Sequence, residues 1–391
     1  MLSITAFGGP QVHFVRFLEK FCDQRGLLTK VELIELYSFC QVLPGPTSTQ
    51  TITAVGLKLG GHKLAILTLV IWIIPASLLM SIIVIGYSQL KNSDLLNYFS
   101  LVPAMAVGFL FAAAIKMFPL IKKHYGFYLI TLGACLALVS SQLFSKNTSL
   151  TSIVLPIILF LSAFISQKFI NIKYTPNNKP LGKLNLKQLF LIATIFFSFV
   201  FVGNVFDIKE VLMFENTFRL GSLVFGGGQV LIPLMESQFV HAKHYLTSVE
   251  FAHGYGFIQA LPGPVFSFST FVNGMALQEK GVWFQLLGCL IGTVAIFLPG
   301  LLIMFFAYPI WGRIKTYPFV QRSLDGIVAG AVGLIFAAGI LLSFGLIESI
   351  SHKTNYFGEI FVLIGTILLI QFTKLPSPFI VLLTILASFL F

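Results

Sequence analysis

Long apolar segments follow one another along almost the whole chain, with short polar connections between them. About thirteen can be distinguished, at roughly 2–21, 32–60, 64–87, 98–118, 125–143, 150–168, 188–206, 211–239, 250–278, 282–310, 322–345, 356–372 and 376–391. Most have close to the ~20 residues that a helix needs to cross the core of a bilayer. Continuous apolar runs of that length indicate transmembrane helices. The pattern therefore predicts an all-α integral membrane protein.

The order of apolar and polar residues is repeated within the chain. Residues 7–46 match residues 225–264 at 17 of 40 positions, at a constant offset of 218. The repeat opens on a glycine-rich motif at 7–10 and 225–228 and closes on Pro-Gly-Pro at 44–46 and 262–264. A membrane chain built twice from one unit, with helix-breaking motifs at corresponding depths, is typical of secondary transporters.

The two copies divide the chain into an N-terminal membrane repeat at 1–168, a linker with a connecting transmembrane helix at 169–206, and a C-terminal membrane repeat at 207–391. Each repeat has six segments, and a single segment connects them. If all of them cross the membrane, the second repeat begins on the opposite side and is inverted relative to the first. If every segment crosses, fifteen basic residues lie on one face and nine on the other, so the first face is cytoplasmic. Equivalent loops also exchange charge: Lys116, Lys122 and Lys123 follow the fourth segment, but only Lys353 follows its counterpart.

Each Pro-Gly-Pro motif lies within an apolar segment and is predicted to break its helix. Proline lacks an amide donor and moves the preceding residue out of the helical region, so two prolines around a glycine interrupt the helix. At membrane depth, an interrupted helix is tolerated only inside protein or around a water-filled cavity. Its freed amides and its positive N-terminal end favour an anion. A purely structural kink is the alternative.

The candidate anion-binding residues are the breaks, the hydroxyls after them, the glycine-rich motifs and nearby polar side chains. Most are neutral, so they would orient an oxyanion without trapping it by full charge. In the first repeat they are Gly8, Gly9, Pro10, Gln11, His13, Gln41, Pro44, Gly45, Pro46, Thr47 and Ser48. In the second repeat they are Arg219, Gly226, Gly227, Gly228, Gln229, Gln259, Pro262, Gly263, Pro264 and Ser267. Packing through small residues, glutamine bonds between helices and a snorkelling arginine are the competing interpretations.

Two carboxylates near the breaks have a structural explanation. Glu32 and Glu250 each complete a Thr-x-x-Glu capping box, with Thr29 and Thr247, at the start of the broken helix. Capping is therefore favoured over proton binding for this pair. Weaker candidates for proton coupling are Glu19, Glu236 and His253.

Composition narrows the class further. Hydrophobic residues make up 57% of the chain and charged residues 10%, whereas about 25% of a soluble domain is charged. The net charge of +11 suits an anionic substrate, but it suits the positive-inside rule equally well. The four cysteines lack a CxxC spacing, and no Walker or zinc-protease motif occurs. We expect no catalytic residue, no cofactor, no metal and no nucleic-acid partner.

The paired motifs resemble those of the chromate ion transporter family in its long, two-repeat form. The first is Phe-Gly-Gly-Pro-x-x-His at 7–13 with Cys-Gln-x-Leu-Pro-Gly-Pro at 40–46. The second is Phe-Gly-Gly-Gly at 225–228 with Gly-Tyr-Gly-x-x-Gln-Ala-x-Pro-Gly-Pro at 254–264. The resemblance implies export of chromate, with sulfate as a related anion, across the prokaryotic inner membrane by the proton-motive force. It also implies inverted repeats and a longer helix before the first motif than the six residues present.

Several alternatives stay open at this level. The chain is also compatible with a transporter of sulfate or another small anion, with an anion channel and, much less well, with a non-transporting membrane enzyme. The exit of one negative charge from a negative interior is favourable by about 2.3 kcal/mol per 100 mV of membrane potential. Voltage alone is therefore able to drive dianion export, and proton coupling is open. Whether the first two segments of each repeat span or re-enter is open as well, as is a homodimer.

Overall fold

The computed structural model shows an all-helical chain. It describes residues 2–7, 10–90, 99–144, 148–169, 190, 194, 198, 208–224, 228–310, 318–350, 357–373 and 375–389. These residues contain fifteen α-helices and no strand, which confirms the all-α fold class. The linker at 170–189 and most of the segment at 188–206 lie outside the described residues.

The first repeat contains seven helices in its described part. They are α1 (Leu2–Thr5), α2 (Pro10–Phe17), α3 (Lys30–Val42), α4 (Thr47–Leu90), α5 (Val102–Met117), α6 (Tyr125–Phe144) and α7 (Thr148–Phe169). α2 continues as a π-helix over Leu18–Gln24. α4 changes direction at Gly60 and Gly61, whose backbone angles are not helical. It therefore consists of two helices, in agreement with the separate segments predicted at 32–60 and 64–87.

The second repeat follows the same order. Its helices are α8 (Lys209–Leu223), α9 (Leu231–Met235), α10 (Ser248–Ala260), α11 (Phe268–Ala276), α12 (Val282–Ala307), α13 (Pro318–Ile350), α14 (Phe357–Phe372) and α15 (Ser377–Ala387). α9 continues as a π-helix over Glu236–Ala242, 218 positions after the first π-helix. The turns that follow are also alike. Leu27 N–H donates to the Phe21 carbonyl and Tyr245 N–H to the Phe239 carbonyl, both at 2.8 Å.

Both broken helices begin at a complete capping box, as predicted. Thr29 Oγ1 accepts from the Glu32 amide at 3.2 Å, and the Thr29 amide donates to the Glu32 carboxylate at 2.8 Å. Thr247 and Glu250 repeat both bonds at the same distances. Two otherwise orphaned N–H groups are satisfied at each helix start. The prediction that these glutamates serve as caps is confirmed.

The two repeats pack against each other reciprocally. α5 packs on α14, and α13 packs on α6. A Cβ atom on Gly108 of α5 would meet the Leu363 carbonyl oxygen of α14, and one on Gly333 of α13 would meet the Thr131 carbonyl oxygen of α6. Leu363 and Thr131 are each the seventh residue of their helix. Equal contacts made in both directions are what a two-fold relation between the copies produces.

Apolar side chains cover the outer faces of the helices. Exposed residues on α4 recur three or four positions apart, at Ile71, Ile74, Leu78 and Ile82. Soluble proteins rarely expose continuous apolar stripes of this kind, so the stripe faces lipid. Within the described part of the chain, three helical stretches are long and apolar enough to cross a membrane, namely Thr47–Leu90, Val282–Ala307 and Gln321–Phe344. The chain is an integral membrane protein.

Candidate functional site

Two backbone hydrogen bonds join the break of each repeat to the residue directly before the glycine-rich motif of the other. Gly45 N–H donates to the Val224 carbonyl at 2.7 Å, and Gly263 N–H donates to the Ala6 carbonyl at 2.8 Å. Both donors and both acceptors are 218 positions apart. The two bonds, called the crossing bonds below, are therefore the same contact made in both directions. They join the two repeats at their helix breaks.

Only glycine fits the centre of each break. Gly45 and Gly263 have φ angles of +119° and +110°, which side chains rarely adopt. A Cβ atom on Gly45 would lie 3.1 Å from Gly300 Cα, and one on Gly263 would lie 3.0 Å from Ala76 Cβ. Gly300 and Ala76 each follow the proline inside a long helix of the other repeat, α12 and α4. Each break thus lies against the proline-containing turn of its partner repeat.

Both breaks border one segment of the second repeat. Gly45 binds the Val224 carbonyl, and a Cβ atom on Gly228 would lie 3.0 Å from the Cβ of Val265, directly after the second break. Val224 and Gly228 lie at most ~14 Å apart, because four residues of extended chain reach no further. The first break therefore contacts Val224 and the turn that begins at Val265 contacts Gly228, two residues that are close in the chain.

Buried donors gather at the start of α4. Thr47, Ser48 and Thr49 are buried, and the amides of a helix's first turn have no acceptor within their own helix. Thr49 Oγ1 has no hydrogen-bond partner among the described residues. In contrast, the hydroxyls of Thr51 and Thr53 donate to the carbonyls of Thr47 and Thr49 at 2.7 Å. The unsatisfied donors therefore lie on the side of the break.

The second break has unsatisfied donors of its own. Ser267 is fully buried and closes the 3₁₀ turn Val265–Ser267, while Gln259 is buried just before the break. Neither Ser267 Oγ nor Gln259 Nε2 has a hydrogen-bond partner within the described part of the chain. An unpaired buried polar group costs about 1–3 kcal/mol. Donors left unpaired in both repeats indicate a place for a ligand that accepts hydrogen bonds.

Gln50 braces the first break. Its Nε2 donates to the Pro44 carbonyl at 2.8 Å and to the Gly300 carbonyl at 3.1 Å. One side chain therefore ties the break both to its own helix and to α12 of the other repeat. The equivalent position in the second repeat is Phe268, so this brace exists on one side only.

His13 braces the second break from the first repeat. Its Nε2 lies 3.2 Å from the Ala6 carbonyl oxygen, which also accepts the Gly263 amide. The buried imidazole packs edge-on against Trp72 at 5.2 Å between ring centres. The equivalent position in the second repeat is Leu231. His13 was predicted as a ligand residue, and that stays a prediction: its Nε2 lies at a crossing bond, while its buried Nδ1 has no partner among the described residues.

The candidate glutamines Gln41, Gln229 and Gln259 differ in their hydrogen-bond partners. Gln229 Oε1 accepts from the hydroxyl of Tyr255 at 2.6 Å. Gln41, which is exposed, lies on α3 one helical turn after Tyr37, the residue equivalent to Tyr255. Gln229 therefore follows the competing interpretation of a glutamine bond between helices, whereas the role of Gln41 stays a prediction. Gln259, in contrast, has an amide donor without a partner among the described residues.

Arg219 is paired rather than directed at a break. Its Nε donates to Glu215 at 3.1 Å and one terminal nitrogen donates to Asn216 at 2.7 Å. Asn216 also accepts from Gln238 at 3.0 Å. Gly8, Gly9, Gly226 and Gly227 lie outside the described residues, and Pro10 and Gln11 open α2.

The sequence predicted that the backbone amides freed at each break bind the anion, and the structure differs on this point. The N–H of each central glycine is held by a carbonyl of the other repeat, and proline has none to offer. The available donors are instead the first-turn amides and the hydroxyls after the break. Thr49 and Gln50 were missed as site residues, although both belong to the polar run that follows Pro46.

Two of the weaker candidates for proton coupling are engaged in other contacts. Glu19 is exposed and paired with Arg16 at 3.2 Å. His253 is buried, with Nδ1 at 3.1 Å from the Tyr87 hydroxyl and Nε2 at 3.0 Å from the Phe99 carbonyl. Both nitrogens of His253 therefore have partners that connect α10 to the first repeat.

Two copies of one membrane unit, crossing at their helix breaks around buried neutral donors, make up a membrane transporter of the two-repeat class. The sequence model of the family described as chromate transporter matches residues 1–169 and 211–389. The chain belongs to the chromate transporter family.

Curated relatives agree with this assignment. An uncharacterised transporter of Methanocaldococcus jannaschii is 25% identical over 342 residues, which cover 87% of this chain and 81% of the relative. A chromate transport protein of Pseudomonas aeruginosa is 23% identical over 343 residues, covering 87% and 78%. One of Cupriavidus metallidurans is 23% identical over 383 residues, covering 97% and 88%. No solved structure matches the chain significantly.

Proposed function

We propose that this protein exports chromate through the cytoplasmic membrane, and that the anion binds between the two Pro-Gly-Pro breaks. The observation that carries the proposal is the pair of crossing bonds, Gly45 to Val224 and Gly263 to Ala6. Each bond ties the break of one repeat to the other repeat, and buried donors that have no partner among the described residues lie directly beside both breaks in the chain. Chromate is proposed as the transported anion because two relatives are named chromate transport proteins.

The donor set suits a tetrahedral dianion. Thr49 Oγ1, Ser267 Oγ and Gln259 Nε2 are neutral donors from both repeats, and the first-turn amides of α4 add the positive end of a helix. Hydrogen bonds to a charged acceptor contribute about 1.5–3 kcal/mol each. A few such bonds bind a dianion without the tight hold of a buried cation, and release is as necessary to transport as binding.

The proposed transport cycle uses two inverted repeats in a multi-pass inner-membrane protein. The exchange of basic residues between equivalent loops supports the inversion. Export of a dianion from a negative interior is favourable by about 2.3 kcal/mol per charge and 100 mV. The proton-motive force includes this voltage, so it is the proposed energy source. Sulfate, nearly isosteric with chromate, is the proposed competing anion.

The test is chromate transport by the purified protein in proteoliposomes. An imposed membrane potential should drive labelled chromate toward the positive side. In a separate assay, excess unlabelled chromate on the opposite side should cause a transient accumulation of labelled chromate by counterflow. Unlabelled sulfate should compete. Replacing Pro44-Gly45-Pro46 by alanines should abolish the flux, while Gly133→Ala, at a helical glycine with open space around it, should transport like the wild type.

Three results would contradict the proposal or a part of it. Absence of chromate flux under every imposed gradient would remove the assignment of cargo. Flux without counterflow would make the protein a channel, since counterflow requires that a site be exposed to one side at a time. Wild-type transport by the triple-alanine variant would reduce the first break to a structural kink.

A further inference from the structure

One carboxyl group lies in the second repeat without a donor to satisfy it. Glu236 opens the π-helix that follows α9 and is 1% exposed. Neither of its oxygens forms a hydrogen bond with any described residue. An isolated carboxylate in such a place is costly. Ionisable residues in membrane segments are rare and mark function by default.

His241 lies between this carboxyl group and the exposed end of the π-helix. Its Nε2 is 3.5 Å from Glu236 Oε1, and 27% of its side chain is exposed, against 1% for Glu236. The π-helix ends at Ala242, directly before the turn at Lys243. An imidazole takes up a proton at one ring nitrogen and releases one from the other. His241 therefore offers Glu236 a route to water.

Other titratable groups near the pair have separate partners. The π-helix packs against α7, α9 and α10. The titratable residues of α10 are Glu250, which caps its helix, His253, which binds Tyr87 and Phe99, and Tyr255, which binds Gln229. On α7, Lys168 is exposed and lies over the Phe164 ring, and α9 has no titratable residue. On α8, Glu215 pairs with Arg219.

The first repeat shows that the fold does not require this carboxyl group. The residue equivalent to Glu236 is Leu18, which opens the first π-helix, and the residue equivalent to His241 is Asp23. The two π-helices nevertheless have the same length and end in the same turn. π-helical turns occur frequently at functional sites. A buried carboxyl group present in one copy only is therefore not needed to form the π-helix.

The pair is connected to the anion site by continuous helix. The 3₁₀ turn Gly228–Val230 leads directly into α9 and then into the π-helix at Glu236. Gly228 lies against Val265, directly after the second break. A change of charge at Glu236 thus acts on the element that lies against the second break.

We propose that Glu236 binds one proton in the transport cycle and exchanges it with water through His241. This inference rests on the proposed function. On unloading, the O–H bond of Glu236 breaks and its proton passes to His241 Nε2, leaving a carboxylate beside an imidazolium. The Nδ1–H of the imidazolium then gives a proton to water. Reloading reverses both transfers, and no oxidant or further reactant is needed.

The test follows protons and chromate in the same proteoliposomes, with a pH-sensitive dye trapped inside and labelled chromate outside. In the wild type, chromate movement should change the internal pH, and an imposed pH gradient should accelerate the flux. Glu236→Gln should lose both effects and keep chromate counterflow. Glu19→Gln is the matched control, because Glu19 is exposed on the equivalent π-helix and paired with Arg16. It should behave as the wild type.

Further variants separate proton binding from folding. Glu236→Leu places the residue of the first repeat at this position and should reproduce the Glu236→Gln result. Glu236→Asp keeps a carboxyl group and should restore part of the pH-gradient response. Chromate-dependent proton movement that persists in Glu236→Gln or Glu236→Leu would overturn the inference. So would a wild type that carries chromate without protons, although that result leaves the proposed function intact. A wild type without chromate flux would overturn both.

Discussion

At the scale of single residues, the proposed site depends on hydroxyl groups that have no hydrogen-bond partner among the described residues. Thr49 and Thr53 lie on the same helix one turn apart, but only Thr53 donates to a backbone carbonyl. The sequence shows a polar run after the first break, and Thr47 and Ser48, rather than Thr49, were predicted from it as anion-binding residues. The pattern of helix back-bonding, which distinguishes these threonines, is visible only in three dimensions.

This difference makes a matched pair of substitutions informative. Thr49→Val removes a donor to the anion and should raise the chromate concentration for half-maximal flux roughly tenfold to a hundredfold, since such a bond contributes about 1.5–3 kcal/mol. Thr53→Val removes only a bond to its own helix and should change that concentration little. Flux measurements over a range of chromate concentrations check both. Equal effects of the two variants would mean that Thr49 has no special role.

The two central glycines give a second prediction at this scale. Gly45→Ala and Gly263→Ala force a side chain into backbone angles of +119° and +110°, at a cost of about 1–3 kcal/mol each. The added Cβ atoms also approach Gly300 and Ala76. Both variants should melt at lower temperature in detergent and lose transport. Gly86→Ala, whose Cβ meets nothing within 4 Å, should melt at or above the wild-type temperature.

At the scale of elements, the broken helices are determined largely by local sequence. Apolar run length, the Pro-Gly-Pro breaks and the capping boxes all predicted elements that the structure contains. The π-helices at Leu18–Gln24 and Glu236–Ala242 were not predicted. Their apolar pattern does not distinguish them from α-helix, and their wider turns depend on the elements packed around them.

The caps are testable by stability. Thr29→Ala and Thr247→Ala should each lower the free energy of unfolding by about 1 kcal/mol, because each removes the side chain that satisfies a first-turn amide. Ser248→Ala, one residue past the second cap, should have a smaller effect. Thermal melting in detergent measures all three. Unchanged melting of both threonine variants would contradict the capping role that the structure assigns.

At the scale of the whole molecule, the two repeats are held together by contacts made twice. The sequence predicted two copies and, from loop charge, opposite orientations. It did not predict that α5 packs on α14 and α13 on α6, or that each break binds the other repeat. These contacts join residues about half a chain apart, and nothing in local patterning specifies which distant helices meet.

Four glycines test this reciprocal packing. Gly108→Ala and Gly333→Ala place a Cβ atom against a carbonyl oxygen of the other repeat, and overpacking of this kind costs about 1–3 kcal/mol. Gly133 and Gly365, at equivalent places in α6 and α14, have open space around them. Their alanine variants should be neutral or slightly more stable. Melting temperatures that do not separate the two pairs would contradict the packing.

The central claim is that the two breaks form one anion site between the repeats, and equilibrium binding of labelled chromate to the purified protein tests it most directly. The account predicts one chromate per chain. It also predicts that Thr49→Val in the first repeat and Ser267→Ala in the second each weaken that same binding, while Ser269→Ala, whose hydroxyl donates to Gly292, does not. Two chromates per chain, or binding weakened from one repeat only, would contradict the account.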